Sequence, residues 1–196
     1  MYNREFTPER NSELKPNIVF SHGKESGPNG TKIKRLMAVA EELGIPTISV
    51  DYRNCTTADV RVALLRQTII GLNVPSQQVV LVGSSMGGYV SMVIAGEQSV
   101  AGLFLMAPAL WMPAEEYTIQ SYQPMTTKVE ITHGLRDDMV PYENSIRFVR
   151  EHPNATLHLV PDDHRLKASH DFLACQFKRF WKRCISYGTA IYIPTF

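Results

Sequence analysis

Val79-Val80-Leu81-Val82-Gly83-Ser84-Ser85-Met86-Gly87-Gly88 is the stretch on which the fold turns. Its first four residues are an unbroken apolar run, as a strand covered on both faces requires. The pattern Gly83-x-Ser85-x-Gly87 follows at once, and residues 86–98 read as a helix. A serine at such a junction sits on a sharp, strained turn, and the flanking glycines let strand and helix pack closely around it. A glycine-rich turn before a helix also serves phosphate binding. Here no lysine follows the glycines, and Ser85 stands where a reactive hydroxyl on such a turn must stand. The five-residue pattern is weak by itself; its strand–turn–helix setting gives it meaning.

Outward from this stretch, strand-like and helix-like segments alternate. Before it come a short apolar strand at 18–20, a helix at 32–43, a β-branched strand at 47–50 and a helix at 58–72. Ile33, Leu36, Met37, Ala40 and Leu43 fall on one face of the first helix, and Val62, Leu65, Ile69 and Leu72 on one face of the second. Gly44 ends the first, as a residue free to take positive φ does. After the serine turn come strands at 100–106, 129–132 and 156–160, a helix at 144–151, and a closing helix from 166 or 167 to about 184. Six strands alternating with five helices predict a three-layer α/β domain with a mostly parallel sheet and helices on both faces. One domain is expected over 1–196, with an arm at 1–15, a short lid segment at 108–127 and a tail at 187–196.

Composition bounds the partners. The chain has 196 residues, 44% apolar and 20% charged, with formal net charge +1, the balance of an ordinary globular protein rather than of a nucleic-acid or anionic-membrane binder. Lys178, Arg179, Lys182 and Arg183 cluster, but they alternate with Phe177, Phe180 and Trp181 and so read as the solvated face of an amphipathic helix. Cys55, Cys175 and Cys184 are odd in number and lack the close pairing of a zinc or redox motif. The first twenty residues carry no apolar leader, and no run of about 18 apolar residues is present to span a bilayer. A reducing, cytoplasmic location is expected, without stable membrane insertion and with the protein as monomer or homodimer.

In a parallel sheet, ligands sit outside the carboxyl ends of the strands. Just past those ends lie His22-Gly23-Lys24-Glu25-Ser26-Gly27, Gly83-Ser84-Ser85-Met86, His133-Gly134-Leu135-Arg136-Asp137-Asp138 and Asp162-Asp163-His164. A serine, an acid and a histidine thus share one edge. A serine hydroxyl needs a base to take its proton, and behind such a turn the chain order is serine, acid, histidine. Of His133, His152, His158, His164 and His170, His164 directly follows the last strand and is the expected base, with His170 as runner-up. Asp137 and Asp138 compete as the acid that orients the imidazole, and Asp163 reads as a turn residue. The developing oxyanion needs two fixed N–H donors. The Met86 amide, at the helix N-terminus, and the Lys24 amide, after the close-approach residue Gly23, are the candidates. His22 reads as structural, packed beneath its loop.

Four separated features now coincide in order: the His22-Gly23 loop, the elbow at Ser85, His133-Gly134-x-x-Asp137-x-x-Val140-Pro141, and Asp163-His164. Together they resemble the α/β-hydrolase superfamily over residues 18 to about 184. The resemblance implies a minimal three-layer α/β-hydrolase fold and assigns the acid to Asp137. More closely, Val82 to Tyr89, His133 to Pro141 and Asp163-His164-Arg165 are similar to mitochondrial acyl-protein thioesterases and related small bacterial hydrolases. That similarity implies hydrolysis of acyl esters or thioesters, on a small-molecule or acylated substrate, with no metal or cofactor. In the lid segment, Leu110, Trp111 and Met112, with Tyr117 and Tyr122, read either as an apolar wall for an acyl chain or as packing onto the sheet. So short a lid leaves the site open and favours short or medium acyl groups, or a group carried on a larger molecule. The rival readings are a non-catalytic binding module on a hydrolase fold, and an amide hydrolase or acyltransferase using the same triad.

Overall fold

Among the described residues the aliphatic runs form six strands: β1 (Asn17–Ser21), β2 (Thr47–Val50), β3 (Val79–Ser84), β4 (Gly102–Met106), β5 (Val129–Gly134) and β6 (Thr156–Val160). This computed structural model describes residues 17–113, 115 and 117–185; the expected arm at 1–15 and tail at 187–196 lie outside the described residues. The strands make one sheet in the order β2-β1-β3-β4-β5-β6, and every neighbouring pair is parallel. All six therefore end at one edge, with β3 and β4 at the centre.

Among the described residues five α-helices flank the sheet, four between strands and the last after β6: α1 (Thr31–Glu42), α2 (Ala58–Gly71), α3 (Met86–Glu97), α4 (Tyr142–Glu151) and α5 (His170–Ile185). Side chains alternate across the sheet and divide the core in two. Ile18, Phe20, Val80, Val82, Phe104 and Met106 face α1 and α5, where they meet Leu36, Phe177 and Phe180. Val19, Leu81, Leu103, Leu105 and Ile131 face the other way, toward Leu65 of α2, Val90 of α3 and Phe148 of α4. Each such fully buried side chain contributes roughly 1.5–3 kcal/mol of apolar transfer energy. The Phe104 ring lies 5.3 Å from Phe177 and 5.5 Å from Phe180, tying the central strand to the closing helix.

Several element ends differ from the sequence expectation. β3 and β5 continue to Ser84 and Gly134 because neighbouring strands still pair with them: Ser84 opposes Met106, and Gly134 opposes Val160. The closing helix starts at His170, not at 166 or 167. Leu166 has φ of 53°, which a right-handed helix cannot accept. Gly44, with φ of 64°, leads the chain out of α1 as expected. Among the described residues no helix is long and apolar enough to cross a membrane.

The junction of β3 and α3 is the tightest point of the fold. A Cβ on Gly83 would lie 2.5 Å from the Gly87 carbonyl oxygen, and one on Gly87 would run into the carbonyl of Ser21. Only hydrogen fits at either position. The α3 backbone therefore settles against β1 and β3 and presents Ser85 at the carboxyl edge.

Candidate active site

Ser85 precedes the first turn of α3 with φ of 55° and ψ of −122°, outside the regions comfortable for a side chain with a Cβ. The neighbours hold it there. Its N–H donates to the Met106 carbonyl at 3.0 Å, and its own carbonyl accepts from the amides of Gly88 at 2.9 Å and Ala109 at 3.1 Å. Backbone strain of this kind costs on the order of 1–3 kcal/mol and persists only where surrounding contacts over-determine it. The amide of Met86 is the first of α3, at the helix N-terminus beside Ser85.

Asp137, in the loop after β5, has a fully buried carboxylate that accepts four hydrogen bonds. Oδ1 accepts from the amides of Met139 at 3.0 Å and Val140 at 2.8 Å. Oδ2 accepts from His164 Nδ1 at 2.7 Å and from His133 Nε2 at 3.1 Å. Burial alone would push this carboxyl's pKa up. The bonds from His133, His164 and Val140 outweigh it and hold the group well below the usual carboxylate range. With its proton fixed on Nδ1 toward Asp137, His164 keeps the lone pair on Nε2, the state a general base needs. Asp138 is exposed. The neighbouring Asp163 accepts from the Arg165 amide at 2.8 Å, as a turn residue does.

The loop after β1 closes the other side. A Cβ on Gly23 would lie 3.3 Å from Ser85 Cβ, so the backbone passes directly against the serine. His22 is buried beneath this loop.

Ser85, His164, Gly23 and Lys24 line one cleft of about 450 Å³. Met112 and Tyr117 line it from the segment between β4 and β5. The other three residues expected in an acyl wall, Leu110, Trp111 and Tyr122, are not among those lining the cleft. Leu110 is fully buried in the core. Trp111 packs its indole between Tyr122, at 4.9 Å, and the Arg147 guanidinium, at 4.1 Å, and donates Nε1–H to the Gln120 carbonyl. Packing onto the body of the protein wins for these three because each finds aromatic, cationic or core partners there. The same segment is fastened by Tyr89, whose hydroxyl accepts from the Ile119 amide at 3.0 Å, and by Tyr122, whose hydroxyl donates to the Ile119 carbonyl at 2.8 Å.

The contacts of two residues at the site were not read from the sequence. His133 is fully buried, and its Nε2–H is shared between Asp137 and the Val140 carbonyl while Nδ1 accepts from the Ser145 hydroxyl at 2.7 Å. Its position four residues before Asp137, at the end of a buried strand, was the available signal. Lys32, in α1, reaches across the cleft and donates Nζ–H to the His164 carbonyl at 2.9 Å. Burial draws its pKa down to about 8, against the opposing pull of Asp137, Asp163 and Asp162. No local pattern pointed to it, since the contact spans 132 positions.

An all-parallel sheet with a strained serine turn after β3, a buried acid after β5 and a histidine after β6 defines a member of the α/β-hydrolase superfamily. The solved structures agree. A Xanthomonas campestris pv. campestris protein assigned to the α/β hydrolase superfamily is 26% identical with a TM-score of 0.73, covering 86% of this chain and 99% of that one. A second X. campestris protein, described as an α/β serine hydrolase without lid, shares the fold at 18% identity and a TM-score of 0.72, covering 90% of this chain and 85% of its own. Among curated relatives, the mitochondrial palmitoyl-protein thioesterase ABHD10 of Bos taurus is 23% identical over 211 residues, 80% of this chain and 69% of the relative. More particularly, residues 17–119 match the family described as Uncharacterised protein family (UPF0227), and the chain belongs to it. That match ends before the loops carrying Asp137 and His164.

Proposed function

We propose that this chain is a serine hydrolase that cleaves carboxylic esters or thioesters of acyl groups through an acyl-enzyme on Ser85. The observation that carries the reading is the 2.7 Å hydrogen bond from His164 to the buried Asp137 carboxylate, on a histidine that shares one cleft with Ser85 at its strained turn. His164 Nε2 takes the hydroxyl proton as Ser85 Oγ attacks the acyl carbonyl carbon. The oxyanion rests on the amides of Met86 and Lys24. As the intermediate collapses, the carbon–oxygen or carbon–sulfur bond to the leaving group breaks, and the imidazolium returns the proton to the departing alcohol or thiol. Water then attacks the acyl-enzyme, again giving its proton to His164. The acid leaves, and Ser85 recovers its hydroxyl hydrogen.

The name of the bovine relative, a palmitoyl-protein thioesterase, supports the thioester side of this reading. A cleft of about 450 Å³ with Met112 and Tyr117 on its wall suits a short or medium acyl group, or a group carried on a larger molecule. The three free cysteines support a reducing compartment, in keeping with the cytoplasm. Replacing Ser85 by alanine tests the reading. Hydrolysis of p-nitrophenyl esters and acyl thioesters should fall by several orders of magnitude, and labelling by a fluorophosphonate probe should vanish. A folded Ser85→Ala protein with activity near that of the wild type would overturn it.

A further inference from the structure

Arg61 lies on α2, outside the cleft, and is only 4% exposed. Its Nη1 donates to the carbonyls of His22 at 3.4 Å and Gly23 at 3.3 Å, and its guanidinium sits 5.3 Å from the centre of the Tyr52 ring. His22 bonds the same carbonyl, Nδ1–H to Gly23 O at 2.7 Å. Its tautomer is fixed because Nε2 accepts the Tyr52 amide hydrogen at 3.0 Å. Burial lowers the His22 pKa, which keeps the ring neutral and able to serve as donor on one nitrogen and acceptor on the other. The Gly23 carbonyl is thus bonded by a neutral imidazole and a buried cation, with the Ser26 hydroxyl as a third, longer donor at 3.4 Å.

The C=O and N–H of a trans peptide point in opposite directions within one plane. No peptide is cis among the described residues. The carbonyl of the Gly23–Lys24 peptide is drawn toward His22 and Arg61, so its N–H, that of Lys24, points the other way. Gly23 and Lys24 both line the cleft, and the Gly23 backbone passes against Ser85. We propose that Arg61 and His22 are positioning residues that aim and polarise the Gly23–Lys24 peptide as an oxyanion donor, an inference that rests on the serine reading above. Donors bonded to a peptide oxygen withdraw electron density from the whole amide and strengthen its N–H as a donor. The gain is realised only as negative charge develops on the substrate oxygen, so it appears in kcat rather than KM.

The test compares wild type, Arg61→Met, Arg61→Lys and Ser85→Ala on p-nitrophenyl butyrate. It also measures inhibition by an alkylboronic acid, which forms a tetrahedral anion on an active serine. Removing a whole oxyanion donor costs ~10²–10³ in kcat, and Arg61→Met, which only disorients one, should lose ~10-fold or more. Boronate affinity should weaken in parallel while KM stays within ~3-fold, since binding common to ground and transition states is untouched. Arg61→Lys, which keeps the charge but not the fork, should fall between the two and decides the matter if Arg61→Met does not fold. A folded Arg61 variant with wild-type kcat and boronate affinity, beside an inactive Ser85→Ala, would overturn the inference alone. A loss confined to KM would do the same. An active Ser85→Ala would overturn the serine reading and this inference with it.

Discussion

Asp137→Asn is the substitution whose effect the structure constrains most. The carboxylate accepts from two amides on Oδ1 and from two imidazoles on Oδ2, at 3.0, 2.8, 2.7 and 3.1 Å. Asparagine has one oxygen and cannot serve both sides. If that oxygen stays with Met139 and Val140, the new NH2 faces two ring nitrogens that both carry hydrogen. His164 escapes by moving its proton to Nε2 and accepting at Nδ1, and in that tautomer it cannot take a proton from Ser85. An equivalent change in a serine protease triad lowers kcat by ~10⁴, so a loss of ~10³–10⁴ is expected here, roughly 4–5.5 kcal/mol of barrier. Stability should change too, because hydrogen bonds to a charged group are worth ~1.5–3 kcal/mol each. The sign with pH follows from the depressed pKa of Asp137. A carboxylate held below its unfolded value adds stability above about pH 4, and that stability is lost as pH falls below it. The melting-temperature gap between wild type and Asp137→Asn should therefore be widest at neutral pH and narrow in acid. The assay is kcat/KM on a p-nitrophenyl ester with thermal melts at several pH values, and Asp138→Asn, on an exposed side chain, serves as a near-silent control. Asp137→Asn activity above a tenth of wild type would refute the assignment of Asp137 as the orienting acid.

Two further outcomes bear on the site. Ser85→Gly should be inactive yet more stable than Ser85→Ala, because glycine accepts φ of 55° without strain; a gain of ~1 kcal/mol would raise Tm by ~2–4 °C, and equal melting temperatures would show that the turn stores none. Lys32→Met removes a buried cation hydrogen-bonded to the His164 carbonyl, and its effect should show in the pH dependence of stability. Because burial draws the Lys32 pKa down to about 8, the folded state gives up its proton before the unfolded one, whose lysines titrate near ~10.4. Wild type should then gain stability relative to Lys32→Met as pH rises between those values; a stability difference flat across that range would refute the lowered pKa.

Sheet and helices were legible because burial on both faces writes itself into unbroken apolar runs such as 79–82, and because glycine marks the points of closest approach. Ser85 and the position of His164 after the last strand followed from the same logic of strand ends. The choice between Asp137 and Asp138 was not a matter of pattern from the residues alone, since adjacent aspartates look alike until the loop folds. Burial, two amides and two imidazoles then separate them. Leu110 and Trp111 escaped because an apolar residue in a connecting segment has no periodicity to say which way it faces. Arg61 escaped for the opposite reason: arginine in a helix reads as solvent-facing, and here the carbonyls of a distant loop and the Tyr52 ring meet it inside.

The segment between β4 and β5 has a kinetic consequence for an enzyme of the proposed kind. Trp111 is clamped by Arg147 and Tyr122, and Ile119 is tied by its amide and its carbonyl to two tyrosine hydroxyls. The apolar aromatics of this segment thus already have their partners without a substrate, and little ordering entropy is left to be taken from acyl-group binding. Turnover would then need no oil–water boundary to unveil the serine, and the rate would rise hyperbolically with monomeric ester, with no jump at the concentration where micelles form.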